Sequence, residues 1–492
     1  MDIRDHSAQE SSAPQDHTKG PSGGLVVPIL AWMVIIGVII WRAVLPIASS
    51  EPPSTESQKQ ESALVEVMLK MQGKMLLAME SLDSSQGGQS DSESAMLKKQ
   101  MRDQLETLVT GPVAQRQQVA ILAGVLLGSD AIDQMLATLD QQAAEAGVEI
   151  SPEAARINMA LQQAFNSTQH ELDASQRELL QSDLGWFGEL AIARTQPDQK
   201  EAWERIQQGS LWLFAGMMVV FGGGLLLALA GLVGLIIGVI QSFRGRLKPL
   251  PQSMGTGSIS ISIEVFAIWL VLFFLLNLLA GSLGAGLFGA VVAFFVSLVV
   301  LFWYPVRGVP LRQAMADNGW TRGRGWIREI LAGFAGYAMM LPILAIGLVL
   351  TMLLMQLAPK GDDGFASDAG AAHPLFILLS DSTTLNLVLI YLAASVAAPI
   401  VEETLFRGVL YRHLRSLSRH WAIWLSIGMS GLVSGFIFAA IHPQGWMGIP
   451  VLAAIGFAMA LAREWRNSLI APMVMHALSN GLVMTMAVLL LS

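Results

Sequence analysis

Long apolar runs dominate this chain and leave it few ways to fold. One extends from Leu25 to Ile47, and eight more fall at about 211–240, 263–281, 287–304, 327–357, 384–411, 422–441, 449–462 and 469–491. At a rise of about 1.5 Å per residue, about 20 apolar residues cross a hydrocarbon core of about 30 Å. Lipid offers no partner to a backbone N–H or C=O, so each run must close its own hydrogen bonds as a helix. Composition agrees, with 53% hydrophobic residues and 14% charged, where soluble domains carry about 25% charged. The expectation is an all-α polytopic membrane protein with about nine transmembrane helices.

Residues 50–208 break the pattern. They are rich in Gln, Ala, Glu, Leu and Met, with apolar residues at helical spacing such as Leu64, Met68, Met71 and Met75. Breaks fall near Gly87-Gly88, Gly111-Pro112, Gly128 and Ser151-Pro152, and Asp130 and Ser151 suit helix N-caps. This reads as an inserted extracytoplasmic all-α domain, either a solvated insertion with no chemistry of its own or a place where a protein partner or substrate docks. The chain then divides into a disordered cytoplasmic tail (1–24), an anchor (25–47), the helical domain (50–208), helices of unassigned role (210–379) and a C-terminal core (380–492). The first apolar run is too long for a signal-peptide core, and Asp2, Asp5, Glu10 and Asp16 precede it against Arg4 and Lys19, so it reads as an uncleaved anchor. Its Arg42 can snorkel. Glycines at helical spacing, such as Gly234 and Gly238, suit close helix packing.

Charge orients the bundle. Arg244, Arg246 and Lys248 follow the second run, Arg307, Arg312, Arg322, Arg324 and Arg328 the fourth, Arg412, Arg415 and Arg419 the sixth, and Arg463 and Arg466 the eighth. The alternate loops are nearly free of Lys and Arg, and one holds Asp362, Asp363 and Asp368 against Lys360. By the positive-inside rule the N-terminus is cytoplasmic and residues 50–208 are outside, in what the layout suggests is a bacterial inner membrane. Basic residues are too few, and too clearly placed by topology, for nucleic-acid binding. No cysteine is present, which removes disulfides, thiolate metal sites and thiol nucleophiles.

One stretch defies the apolar pattern. Val401-Glu402-Glu403-Thr404-Leu405-Phe406-Arg407 continues the run from Leu385 with no loop-forming residue between. A charged side chain at membrane depth costs roughly 2.5–3.5 kcal/mol on insertion scales and is functional by default. Glu403 and Arg407 share a helical face and can neutralise each other. Glu402 points about 100° away and has no local partner.

Eight histidines are available. His6, His17 and His170 lie in polar segments, His373 in an external loop, and His413 and His420 among edge arginines. Only His442 and His476 are embedded in apolar sequence, and Asn480 lies one turn after His476 on the same face. A lone apolar-face histidine is usually structural, but two of them with an Asn and a buried Glu pair form a candidate constellation. A carboxylate at low dielectric can activate water as a general base, while imidazole and amide groups can donate to a developing oxyanion. The set could hydrolyse an amide.

These three segments resemble the E-E-x-x-x-R, F-x-x-x-H and H-x-x-x-N/D motifs of the CPBP family, the type II CAAX prenyl endopeptidases and their bacterial relatives, also called the Abi family. The resemblance covers roughly residues 380–492. It implies an intramembrane endopeptidase acting on a membrane-anchored peptide or protein within the lipid bilayer. It further implies that Glu402 and His442 activate water, His476 and Asn480 form the oxyanion site, and Glu403 and Arg407 support them. Phe438, at the aromatic position, is expected to pack. No cofactor is needed on this reading, although Glu402, His442 and His476 could supply three zinc ligands. The H-E-x-x-H signature is absent, since His170-Glu171 lacks the second histidine. A non-catalytic scaffold or immunity-type protein of the same fold is the alternative. So is a proton-coupled transporter, although no inverted repeat of broken helices is visible.

Helix arithmetic leaves one mismatch. Glu402 lies about 15 Å inward of Arg412 and His476 about 13 Å inward of Asn467, but His442 lies about 30 Å from Trp421.

Overall fold

The computed structural model describes residues 26–48, 55–85, 99, 102, 105, 112–145, 150–166, 171–246, 258–357 and 383–491. The 1–24 tail, His6, His17, His170, His373 and the acidic 362–368 loop lie outside them. Among the described residues every regular element is helical.

An apolar helix, α1 (Val26–Ala48), comes first, and the polar region follows as α2 (Thr55–Ser85), α3 (Val113–Leu127), α4 (Ser129–Glu145), α5 (Pro152–Asn166), α6 (Ala174–Leu184) and α7 (Trp186–Thr195). α3 is buried continuously from Gln117 to Leu126, so it shows no apolar stripe; it is the axis around which the amphipathic helices wrap. Leu69, Leu77, Leu136, Leu161, Leu180 and Phe187 close on it. Gln117, polar and buried, donates to Asn158 Oδ1 at 2.8 Å and to the Ala154 carbonyl at 3.0 Å. Ser151 caps α5 as expected, its Oγ accepting from Ala154 N at 3.2 Å. Asp130 is not an N-cap: α4 starts at Ser129, and Asp130 sits within its first turn, where a carboxylate still favours the helix dipole.

On its C-terminal side the domain runs into the bundle without a break. α8 (Lys200–Phe243) is one helix of 44 residues, about 66 Å long, that packs on α2 at its start and then enters the bundle. The expected boundary near residue 210 therefore falls inside a helix. A Cβ on Gly231 would stand 1.9 Å from the Ala338 carbonyl oxygen, and one on Gly234 2.8 Å from Met339 Cε. Gly238 meets open space, so the close contact runs through Gly231 and Gly234.

The bundle continues with α9 (Ser258–Ser282), α10 (Gly286–Val306), the short α11 (Leu311–Asn318), α12 (Trp326–Leu357), α13 (Thr384–Leu417), α14 (Ile423–Ala440), α15 (Ile449–Arg466) and α16 (Ile470–Leu491). Eight of the described helices are long and apolar enough to cross a membrane, and α1 adds a shorter apolar segment over Val26–Arg42. α1 lies against α9 and buries Ala31 and Ile35 there. α12 packs on α8, α15 and α16. α14 and α15 cross closely, because a Cβ on Gly435 would lie 2.6 Å from the Ala453 carbonyl oxygen and one on Gly456 2.7 Å from Gly435 Cα.

The arginines of the basic face are of two kinds. Arg244, Arg246, Arg312, Arg322, Arg324, Arg328 and Arg419 are exposed. Arg412, Arg415, Arg463 and Arg466 are buried; Arg415 is ion-paired to Glu464 at 3.0 Å and Arg466 to Glu329 at 2.7 Å. Arg412 is thus a poor marker of the membrane edge, since α13 runs on to Leu417. Counted from Leu417, Glu402 is about 22 Å in, and counted from Ile423, His442 is about 28 Å in. The later edge narrows the gap between Glu402 and His442, but His476, about 13 Å from Asn467, then falls short of Glu402, so tilt and packing rather than residue counts bring the three to one depth.

Candidate functional site

α13 carries both glutamates, and it is not a uniform α-helix. π-helical segments at Ala393–Ala397 and Thr404–Leu410 flank the α-helical stretch Ala398–Glu403. Pro399 accounts for the first. It has no N–H to give and would clash with the carbonyl four residues back, so the ladder widens there. In the widened ladder Ala398 N–H bonds the Ala393 carbonyl, and the Ala394 carbonyl would face the prolyl nitrogen of Pro399. Asn480 supplies the missing donor, its Nδ2 reaching Ala394 O at 2.7 Å. π segments concentrate at functional sites, and here two of them bracket the acidic pair.

Glu403 is fully buried and holds two partners on one oxygen. Arg407 Nη1 donates to Oε1 at 2.9 Å, the expected i,i+4 pair, and His476 Nδ1 donates to the same oxygen at 2.9 Å. Arg407, also fully buried, gives Nη2 to the Gly456 carbonyl at 3.2 Å and lies 4.7 Å over the Phe438 ring. That approach to α15 is open because Gly456 has no side chain; a Cβ there would stand 3.3 Å from Nη2.

Glu402 turns the other way. Its Oε2 faces His442 Nε2 at 3.9 Å and His476 Nε2 at 3.8 Å, and this oxygen is buried with no hydrogen-bond partner among the described residues. His442 lies just past the end of α14, its Nδ1 bonded to the Phe438 carbonyl at 2.5 Å. A carbonyl only accepts, so His442 carries its proton on Nδ1, and the Glu403 carboxylate fixes the same tautomer in His476. Both rings therefore turn Nε2 toward Glu402.

An aromatic chain holds these rings. Phe438 touches the His442 ring with centroids 4.1 Å apart, meets His476 edge-on at 6.1 Å and packs on Phe406 at 5.1 Å. Phe406 continues to Phe266 and Trp269 of α9. Phe438 is thus packing, as expected, and is also the platform for Arg407.

The structure brings Glu402, Glu403, Arg407, His442 and His476 together. Asn480 is one turn away on α16, bonded to the π segment. Sequence reasoning missed the Glu403–His476 bond, because it had assigned Glu403 wholly to Arg407. It also missed two buried polar atoms without hydrogen-bond partners among the described residues, Ser395 Oγ in the first π segment and Gln444 Oε1 two residues past His442. Proximity to the motifs was their one signal. His413 is buried against Trp32 and His420 is exposed beside Arg419, so both stay apart from the cluster.

Atoms that share one tetrahedral zinc stand about 3.3 Å apart, given bonds of about 2.0–2.1 Å. The Glu402–histidine separations are longer, and among the described residues no group of three or more His, Cys, Asp or Glu side chains is spaced to hold a metal. The donors as they stand do not fit zinc. A separation of 3.8–3.9 Å does suit one bridging water.

Residues 384–482 match the family described as type II CAAX prenyl endopeptidase Rce1-like. An uncharacterized 24.3 kDa protein of Escherichia coli is 30% identical over 102 residues, which cover 20% of this chain and 44% of that protein. The membrane-embedded CAAX protease MroQ of Staphylococcus aureus (strain USA300) is 34% identical over 89 residues, covering 18% of this chain and 35% of that protein. The matched stretch thus spans less than half the length of these relatives. No solved structure gives a significant match. From the start of α13 into α16, residues 384–482 are thus similar to the Rce1-like type II CAAX prenyl endopeptidases.

Proposed function

We propose that the protein is an intramembrane endopeptidase that hydrolyses peptide bonds of membrane-anchored substrates. One observation carries the reading: a buried carboxylate oxygen of Glu402, without a hydrogen-bond partner among the described residues, faces the Nε2 atoms of two oriented imidazoles at 3.8–3.9 Å. A water held between Glu402 and His442 loses a proton to Glu402 and adds to the scissile carbonyl. The C–N bond then breaks, and that proton passes to the leaving amine. His476 Nε2 donates to the oxyanion when its ring carries a second proton beside Glu403, and Asn480 joins it on leaving the Ala394 carbonyl. Glu403 and Arg407 hold His476 in place. No metal is required.

The exposed arginines support a cytoplasmic basic face, with residues 50–208 and any protein partner they hold on the other side. Both named relatives are bacterial, which supports a bacterial inner membrane. The test compares membrane peptidomes from cells with wild-type protein and with Glu402→Gln, followed by cleavage assays on the purified pair, with and without exhaustive chelation. Loss of a general base lowers the rate by about 10²–10⁴, and chelation should change nothing. Equal cleavage by Glu402→Gln would overturn the assignment, and no cleavage by the wild type would favour a non-catalytic scaffold.

A further inference from the structure

Away from the glutamates, a cavity of about 640 Å³ opens between α8, α12, α14 and α15. Its walls are almost wholly apolar, with Gly238 on α8, Met339 on α12, Trp424 on α14 and Met475 on α16 among them. Rim residues Ile237, Val239 and Trp424 are exposed, so the slot communicates with the surrounding lipid. Along α8 it runs from Gly234 to Ser242, about 12 Å, and on to the turn at Gly245, so it is close to half a hydrocarbon core deep. Half of a hydrocarbon core of about 30 Å is the depth of one leaflet.

The slot has a polar end on the basic face. Gln241, Ser242 and Gly245 line it there, and the exposed Arg244 and Arg246 flank Gly245. Arg246 Nη1 reaches back to Gln241 Oε1 at 3.4 Å. Glu464 is the one acidic lining residue, and both of its oxygens are occupied by Arg415 and Tyr411. The mouth is therefore cationic. An apolar slot close to one leaflet deep with a cationic mouth at headgroup level is complementary to one class of occupant.

We propose that this slot binds an anionic diacyl phospholipid of the leaflet on the Arg244 side, one acyl chain lying against Gly238 and Met475 and the phosphate resting on Arg244 and Arg246. Met475 precedes His476, so the chain packs behind the turn that carries that imidazole. Binding is read without any cleavage and stands independently of the protease reading.

The test is native mass spectrometry of the full chain from nanodiscs of equimolar phosphatidylglycerol and phosphatidylcholine. Juxtamembrane cations contribute about 1 kcal/mol each toward anionic lipid, so two favour retained phosphatidylglycerol by roughly 30-fold. In Arg244→Gln/Arg246→Gln the preference should fall to near unity. Gly238→Phe, which enters open space and so leaves the fold intact, should retain neither lipid. Arg312→Gln/Arg322→Gln removes the same charge elsewhere on the basic face and should keep the preference. Equal preference in the wild type and Arg244→Gln/Arg246→Gln, lipid retained by Gly238→Phe, or loss in the Arg312/Arg322 control would each overturn the proposal.

Discussion

Arg407 offers the most exacting test of how the site is held. It and Glu403 are both fully buried and meet at 2.9 Å, and the guanidinium also bonds the Gly456 carbonyl and lies on Phe438. In Arg407→Met the Glu403 carboxylate keeps only His476 as a partner. Removing one member of a buried ion pair costs about 3–5 kcal/mol, chiefly because the other charge is stranded, and the desolvated cation–π contact contributes up to about 2 kcal/mol that overlaps with it. Glu403→Gln strands the opposite charge, though it leaves an amide oxygen for His476. The double variant strands neither, so its cost should fall short of the summed singles by at least about 2 kcal/mol. Reversible unfolding in mixed micelles, titrated with denaturing detergent, measures the cycle. A coupling near the average of about 0.6 kcal/mol for transmembrane hydrogen bonds would refute the idea that a buried charge pair within α13 holds Glu403 in place for His476.

Further outcomes follow from particular contacts. In His442→Asn the side-chain amide can still cap the Phe438 carbonyl while Nε2 is lost, so thermal stability should stay within about 1 kcal/mol as cleavage falls by about 10²–10⁴; a destabilised or fully active variant would contradict the tautomer assigned here. Gly456→Val should cost about 1–3 kcal/mol in the same unfolding assay, because the new side chain must push Gly435 or Arg407 aside; a neutral result would show that the α14–α15 crossing is looser than described. Because the chain lacks cysteine, single cysteines at Lys200 and Ser242, toward opposite ends of α8, should react with impermeant thiol reagents from opposite sides of the membrane. Labelling of both from one side would reject the topology.

Much of this was legible in the sequence. Lipid forces the apolar runs into helices, and the Glu403–Arg407 bond follows from i,i+4 geometry alone. The meeting of Glu402 with His442 and His476 was chemically motivated, but its depth was misjudged. Arginine in sequence looks like a membrane edge, and Arg412 and Arg415 are instead buried in protein, with Arg415 paired to Glu464. Periodicity also hides the π segments, the first of which has its cause in a single missing N–H at Pro399. That one atom draws Asn480 to a backbone carbonyl, which no motif spacing encodes. The helical domain was readable as helices, and its central helix was obscured because a helix buried all round has no stripe.

The 44-residue helix α8 makes the extramembrane domain a mechanical part of the bundle. Within lipid its backbone has no alternative partner, so it moves as one rod, and its tightest contact is where Gly231 meets the Ala338 carbonyl. That contact is a fulcrum. The arm toward the domain, Lys200 to Gly231, is about 46 Å long, and the arm toward the basic face, Gly231 to Phe243, about 18 Å. A displacement of the domain is thus geared down by more than twofold at the basic face, and the reaction at the fulcrum falls on α12, the helix against which α15 and α16 rest. A partner that never enters the membrane would still have a lever on the helix that carries His476.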